Sequence, residues 1–515
     1  MPFRTRPTPP AVLALALGAC GAIFADEAPA LRALIQDVTA PAMDRGLRDN
    51  DPPREPRAGA SLVDRAGGSA APYLSGSIIV KFKGGTSSPS RVSTMSAFGA
   101  RSEGQPAYAD FDIVAIAPDD DPVAVAGMMA ARPDVEYAQP RYRNYPMFTP
   151  NDPLYRNQWN FPAIDMERAW DINPGASANI TVAVLDTGLA YRSALIHFNA
   201  RAFRIGTTIF PALGPIDVPF AAAPELGGAA SRFPSSRDFI WDDTTPLDTD
   251  GHGTHVAGTI GQLTNNGLGV AGMAFNVKIM PVKVIDSDWD FIFNSPFQGT
   301  DDVVARGIRY AADNGAKVIN MSIGRTAGGP ATAIQDAIAY AISKGAFVAV
   351  AAGNGFEQGN LPNRVAEFAP QIEGMVAVGS VGRDLARAFY SSTGGYVELA
   401  APGGDMRRSG TTGGILQQTL DQDVLFTYGG TPAQYKAPRF DAFVYDYYQG
   451  TSMATPHVSG FAAMLMQQGI TNPAAVEAVM KRFATDKGAA GRDNEYGYGL
   501  INPRASLRGL GLDAK

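Results

Sequence analysis

The stretch Thr181-Val182-Ala183-Val184-Leu185-Asp186-Thr187-Gly188 decides the fold. Its apolar run does not alternate and stops at a carboxylate followed by a glycine. A strand apolar on both sides must be covered on both faces, as strands of a parallel sheet are. Similar short runs recur at residues 279–285, 317–321, 346–350, 375–378 and 396–400. Between several of them lie stretches such as Val303, Val304, Ile308 and Ala311, with apolar residues at the helical spacing of three and four. Strands alternating with helices predict an α/β architecture, a mostly parallel sheet with helices on both faces. Sites in such sheets gather beyond the carboxyl ends of the strands, so Asp186 is a site candidate. Taken alone, it reads equally well as a loop cap.

Outward from this segment, the chain of 515 residues is 45% apolar and 18% charged, enough to bury a sizeable core. Its net charge of −7 gives no electrostatic footprint for nucleic acid. The single cysteine, Cys20, excludes an intramolecular disulfide and a Cys-based zinc site. Arg4 and Arg6 precede an uncharged apolar stretch at 11–24, too short to span a bilayer, so residues 1–25 read as a signal peptide. Leu17-Gly18-Ala19-Cys20 resembles a bacterial lipobox. Cys20 is then either the lipid-bearing first mature residue and a membrane tether, or part of the apolar region with cleavage after Ala25. Either way the chain is expected outside the cytoplasm, secreted, periplasmic or on the cell surface.

Residues 26–76 carry no apolar period and read as a linker. Strand-like runs at 77–82, 111–117 and 135–137, with a helix at 123–131, predict a small α+β unit ahead of the main sheet.

Two further stretches carry chemistry. His252 lies in Asp250-Gly251-His252-Gly253-Thr254-His255, where the glycines allow close backbone approach. The His-x-x-His spacing lacks the glutamate of a zinc-protease helix and a third ligand. Ser452 lies in Gly450-Thr451-Ser452-Met453-Ala454-Thr455-Pro456-His457, just before an apolar helix. Pro456 fits a first helical turn, which predicts Ser452 at a helix N-terminus, where the dipole favours developing negative charge. A lone serine there is most often an N-cap. A serine hydroxyl is a weak nucleophile; it needs an imidazole to take its proton and a carboxylate to orient that imidazole. The elbow of a lipase-like esterase, Gly-x-Ser-x-Gly, is broken by Ala454.

Together the three stretches resemble the signatures of the subtilase family of serine proteases: AVLDTG at Asp186, DGHGTHVAGT at His252 and GTSMATPHVSG at Ser452. The resemblance covers roughly residues 150–505. It implies a subtilisin-like domain over 148–515 and a catalytic set of Asp186, His252 and Ser452, with Asn354 donating to the oxyanion. It implies that Ser322-Ile323-Gly324 pairs with extended polypeptide substrates and that Ala351, Ala352 and Gly353 line the first pocket. No acidic residue stands at these positions, so an apolar or aromatic side chain is expected before the cut. Residues 77–147 resemble the ferredoxin-like inhibitor propeptide of the family, implying a zymogen cut by its own active site between about Arg141 and Thr149. The propeptide would be the protein's own inhibitor and folding aid, and the enzyme a monomer. The alternative is a catalytically dead protease fold kept as a binding protein.

Asp238, Asp242, Asp243, Asp248 and Asp250 crowd the segment before His252 and would repel unless solvated or bound to a cation. Hard oxygen ligands suit calcium. Residues 238–246 resemble a thermitase calcium loop, with Asp238, Asp243 and the Thr245 carbonyl as ligands. Residues 263–270 resemble another, with Asn266, Asp152 and the carbonyls of Leu263, Leu268 and Val270. The family's His-Pro-Asp-Leu stretch is replaced by Tyr191-Arg192-Ser193-Ala194-Leu195-Ile196, which puts a ligand of the second site in doubt. Insertions at 191–237 and 403–448 flank the site; the second is rich in aromatics, expected to pack it onto the body.

Overall fold

Every apolar run noted above lies in or overlaps a strand of one seven-stranded sheet. In the computed structural model its order is Arg237–Asp238, Lys278–Lys283, Thr181–Asp186, Val318–Met321, Phe347–Ala351, Met375–Val381 and Leu399–Pro402, all neighbours parallel. The structure describes residues 73–142, 148–205, 208–422, 428–429, 434–435 and 437–509. The expected signal segment with Cys20, most of the linker and most of the expected cleavage region lie outside the described residues. Among the described residues no helix is long and apolar enough to cross a membrane.

Alternate residues of each strand feed two cores. Val182, Val184, Val318, Phe347, Ala349 and Val376 pack with the helix Thr451–Gln467. Ala183, Leu185, Ile319, Val348, Val350 and Ala377 pack with the helices Asp301–Asp313 and Thr332–Ser343. This two-sided burial is why the strands read as continuous apolar runs. The helix Asp301–Asp313 comes so close to the sheet that a Cβ on Gly307 would meet Val284.

Thr181–Asp186 lies between Lys278–Lys283 and Val318–Met321, where the strand order reverses. Asp186 therefore stands at the switch point of the sheet, the place where such folds open a crevice.

The described residues fall into two compact units, 73–142 and 148–509. The first is a four-stranded antiparallel sheet in the order Arg101–Gly104, Asp112–Ala115, Tyr73–Phe82, Val135–Tyr142. With the helices Ser88–Ser96 and Pro122–Ala130 it is a β-α-β-β-α-β unit, ferredoxin-like as expected. Ile78, Val80, Met95, Val114, Val125 and Met129 form its core. The strand reaches back to Tyr73, so residues 73–76, read as linker, belong to the sheet, where Tyr73 pairs with Tyr142. The helix Ser88–Ser96 and the edge strand Arg101–Gly104 were not legible: the helix buries only Thr94 and Met95, and the strand is exposed throughout.

Both insertions in the second unit contain hairpins. Ala194–Ala200 pairs with Leu213–Phe220, and Ile415–Leu420 with Phe443–Tyr448. The insertions meet where Phe220 stacks on Phe440, ring centroids 4.7 Å apart, and the Ala221 N–H donates to the Phe440 carbonyl.

Candidate active site

The sheet ends Asp186 with its side chain fully buried beside the first residue of the helix His252–Gly261. His252 Nδ1 lies 2.7 Å from Asp186 Oδ1, which also accepts the Thr187 N–H at 2.8 Å. Asp186 Oδ2 is buried without a partner. A carboxylate on Nδ1 makes that nitrogen the donor and leaves Nε2 to act as a base.

Burial disfavours the charged His252 ring, but Asp186 first, then Asp250 and Asp248, outweigh it and raise the pKa to about 9. Asp250 accepts the His252 backbone N–H at 3.0 Å. Its own carboxyl is pushed up to about 6 by burial and by Asp248.

Ser452 is the second residue of the helix Thr451–Gln467, at the N-terminus expected for it. Its Oγ donates to the Ser322 carbonyl at 2.9 Å, and the Ser322 hydroxyl donates back to the Ser452 carbonyl at 2.8 Å. Ser322 follows the strand next to Thr181–Asp186, so the serine stands at the adjoining strand end. The hydroxyl is thus parked on Ser322 and makes no hydrogen bond with His252. A turn about χ1 would redirect it, and catalytic hydrogen bonds commonly tighten only once substrate is bound.

The expectation for Pro456 needs correcting. It is the sixth residue of the helix rather than part of the first turn. A proline there has no N–H for the carbonyl four residues back, that of Ser452. That carbonyl is therefore free to accept the Ser322 hydroxyl.

Asn354 follows the strand Phe347–Ala351. Its Oδ1 accepts both the N–H and the hydroxyl of Thr451, each at 2.9 Å. This fixes the amide so that Nδ2 remains a donor close to Gly450. Ala351 and Ala352 are buried, and Gly353 has φ +114°, a conformation a side chain would strain. Ser322, Ile323 and Gly324 run beside them. The motifs do not point to Asn363, yet it joins the two segments. Its buried Nδ2 donates to Ile323 O at 3.0 Å and Ala351 O at 2.7 Å, and its N–H to Ala352 O.

The second histidine, His255, is a core residue. It stacks on Tyr448 at 4.3 Å and bonds the Ile415 carbonyl, and burial takes its pKa to about 3.

The acidic run before His252 disperses. Asp248 is buried and accepts from Thr187 Oγ1, Asp250 N, Gly251 N and both polar groups of Thr254, bracing the Asp186 and His252 segments together. Asp242 pairs with Arg237. Asp243 caps the Thr245 N–H, and Arg237 holds the Asp243 carbonyl. Asp238 caps Ile240 and Trp241 and faces the buried Lys283–Asp290 pair. Lys283 and Arg237 already supply positive charge here, so Asp238, Asp243 and Thr245 do not fit a calcium loop. Among the described residues no three acidic, histidine or cysteine side chains converge on a metal position.

The 263–270 loop fits a cation better. Asp152, only 4% exposed, accepts the Asn265 and Asn266 N–H groups, and Asn266 Oδ1 turns back to the Leu268 N–H. Gln262, the residue just before the loop, has its Oε1 buried without a partner. The donor set is all hard oxygen.

An imidazole–carboxylate pair at one strand end with a serine at the adjoining strand end is an arrangement that serine hydrolases use. Comparison with known proteins narrows it. Residues 177–499 match the subtilase family, and residues 62–141 the fervidolysin N-terminal prodomain. The chain is 30% identical to the thermophilic serine proteinase of Bacillus sp. (strain AK1), over 84% of this chain and 86% of that one. It is 33% identical to thermitase of Thermoactinomyces vulgaris, over 62% of this chain and 87% of that one. A solved protease from Pseudoalteromonas arctica superposes with a TM-score of 0.50 at 28% identity, covering 70% of this chain and all of that one. The chain belongs to the subtilase family and is a serine peptidase with a fervidolysin-like prodomain.

Proposed function

We propose that the protein is an exported endopeptidase, made as an autoprocessed zymogen, that cuts polypeptides through Ser452, His252 and Asp186. Ser452 Oγ attacks the scissile carbonyl carbon and passes its proton to His252 Nε2. Asp186 holds the imidazole in the needed tautomer. The oxyanion is met by Asn354 Nδ2 and the Ser452 N–H; each donor is worth on the order of 100- to 1000-fold in rate, a range that comes from a subtilisin. His252 returns the proton to the leaving amine, and water then cleaves the acyl ester on Ser452. Ser322-Ile323-Gly324 offers backbone pairing to any extended peptide. Ala351, Ala352 and Gly353 leave the first pocket uncharged, suiting an apolar residue before the cut. Calcium bound by Asp152, Asn266 and the carbonyls of Leu263, Leu268 and Val270 would stiffen a loop in a chain without disulfides.

The observation that carries this reading is the 2.7 Å His252–Asp186 contact, with Ser452 on the neighbouring strand end. Treatment with a fluorophosphonate is expected to label Ser452 covalently, and His252→Ala to abolish the label. An unlabelled protein would instead favour the dead-fold binding protein. Purified Ser452→Ala chain is expected to keep its prodomain attached; a mature N-terminus in that variant would remove the autocatalytic step.

A further inference from the structure

The insertion 191–237 begins where the family's metal-ligand stretch is missing, and it ends by burying an acid. Glu225 is fully buried, with its backbone N–H on Gln418 Oε1 and its carbonyl on the Leu263 N–H, so it is fastened to the start of the 263–270 loop. Its Oε1 accepts the Val270 N–H at 3.2 Å and its Oε2 faces Gln262 Nε2 at 3.4 Å, while Tyr445 also bonds the carboxylate. These contacts are long for a buried carboxylate. Asp152 is near enough for its charge to act on Glu225, and the groups hydrogen-bonded to the Glu225 carboxylate, the Val270 N–H, Gln262 and Tyr445, are all neutral. Asp152 is itself buried. Two neighbouring buried carboxylates without a cation are unfavourable.

Two further observations point to a ligand. Gln262 Oε1, on the side chain that touches Glu225, is buried and unpartnered, and so is Gln417 Oε1 next to it across Gly258. Gly269 lies so close that a Cβ there would overlap the Glu225 carboxylate and the Tyr445 hydroxyl. The loop backbone is thus drawn directly over the acid.

We propose that Glu225 is a ligand for a divalent cation of the calcium class, shared with Asp152 and the 263–270 loop, and that this ion pins the insertion to the catalytic body. The inference rests on the calcium reading of that loop and adds a ligand from outside the family motif. In place of the missing stretch, the insertion supplies the second carboxylate.

The test uses the full chain with Ser452→Ala to prevent self-digestion. Equilibrium dialysis with calcium alone compares that parent with versions carrying Glu225→Gln or Asp152→Asn, and melting is followed in calcium and in chelator. The parent is expected to bind calcium and to melt higher in its presence. Glu225→Gln, which keeps size and burial, is expected to weaken calcium binding on the order of 100-fold, since affinity follows ligand charge. It should abolish the calcium-dependent rise in Tm while leaving Tm in chelator unchanged or higher. Calcium bound at parental affinity by Glu225→Gln, with loss only in Asp152→Asn, would overturn the role of Glu225 and keep the loop site. Equal binding in all three, or none in the parent, would overturn the loop reading as well.

Discussion

Asp186, Asp250 and Asp248 all raise the His252 imidazole, and together they set the pH at which it can serve as a base. The ring must be neutral to accept the Ser452 proton, and it is charged below its pKa of about 9. The log of kcat/KM is therefore expected to rise with pH and level off near pH 9. Asp250→Asn removes one of the charges that hold the proton, so the midpoint of that limb should move to lower pH; an unmoved midpoint would contradict the assignment. At the same scale, Asn363 is a positioning residue. Its one amide spans Ile323 O and Ala351 O, the two walls of the expected substrate channel. Asn363→Ala should lower kcat/KM on the order of 100-fold, the cost of misplacing reacting groups by about 1 Å. The pH midpoint should stay fixed, because no charge near His252 changes. The motifs made Asp186, His252 and Ser452 legible, since each stands in a long run of unusual composition. Asn363 was not legible: an Asn beside Pro362 looks like any turn, and only folding brings it between two strand ends.

The elements around the site are held by a buried ion pair as much as by apolar packing. Lys283 ends the strand that pairs with Thr181–Asp186, directly opposite Asp186. Its Nζ contacts Asp290 Oδ2 and Thr249 Oγ1, each at 2.8 Å, and the Leu247 carbonyl at 3.1 Å. It thus holds the segment leading to Asp248 and His252. Lys283→Met leaves Asp290 buried without its partner and should cost about 3–5 kcal/mol in thermal or denaturant unfolding. Combining Lys283→Met with Asp290→Asn should recover part of that loss, because residue 290 then carries no buried charge that needs the lysine. The strands themselves were legible because burial on both faces leaves no polar alternation. Their ends were less so, and the partners of the acids before His252 were not legible at all. Sequence proximity suggested acids that are either solvated or bound to a cation, with Asp238 and Asp243 as ligands; the folded loop sends the five to different partners.

For the whole molecule, the two insertions pack on each other within the catalytic unit, and the second also hydrogen-bonds Asp250 and Gly251 just before His252. Phe440, almost fully buried, stacks on Phe220 across the junction, and Tyr448 stacks on His255 beneath it. Phe440→Ala should destabilise the unit by about 3–4 kcal/mol, the usual cost of emptying a buried aromatic site. A change below about 1 kcal/mol would mean the insertions are independent flaps. Locally encoded patterns determined the alternation of strands and helices, the small α+β unit ahead of them and the three catalytic candidates, because periodicity and motif spacing are carried by neighbours along the chain. Tertiary structure alone decided that the Ser452 hydroxyl rests on Ser322, that the second histidine is a core residue, and that Glu225 lies buried near Asp152. Each of those depends on which charges and carbonyls are brought together from segments tens to hundreds of residues apart, and no local pattern records that.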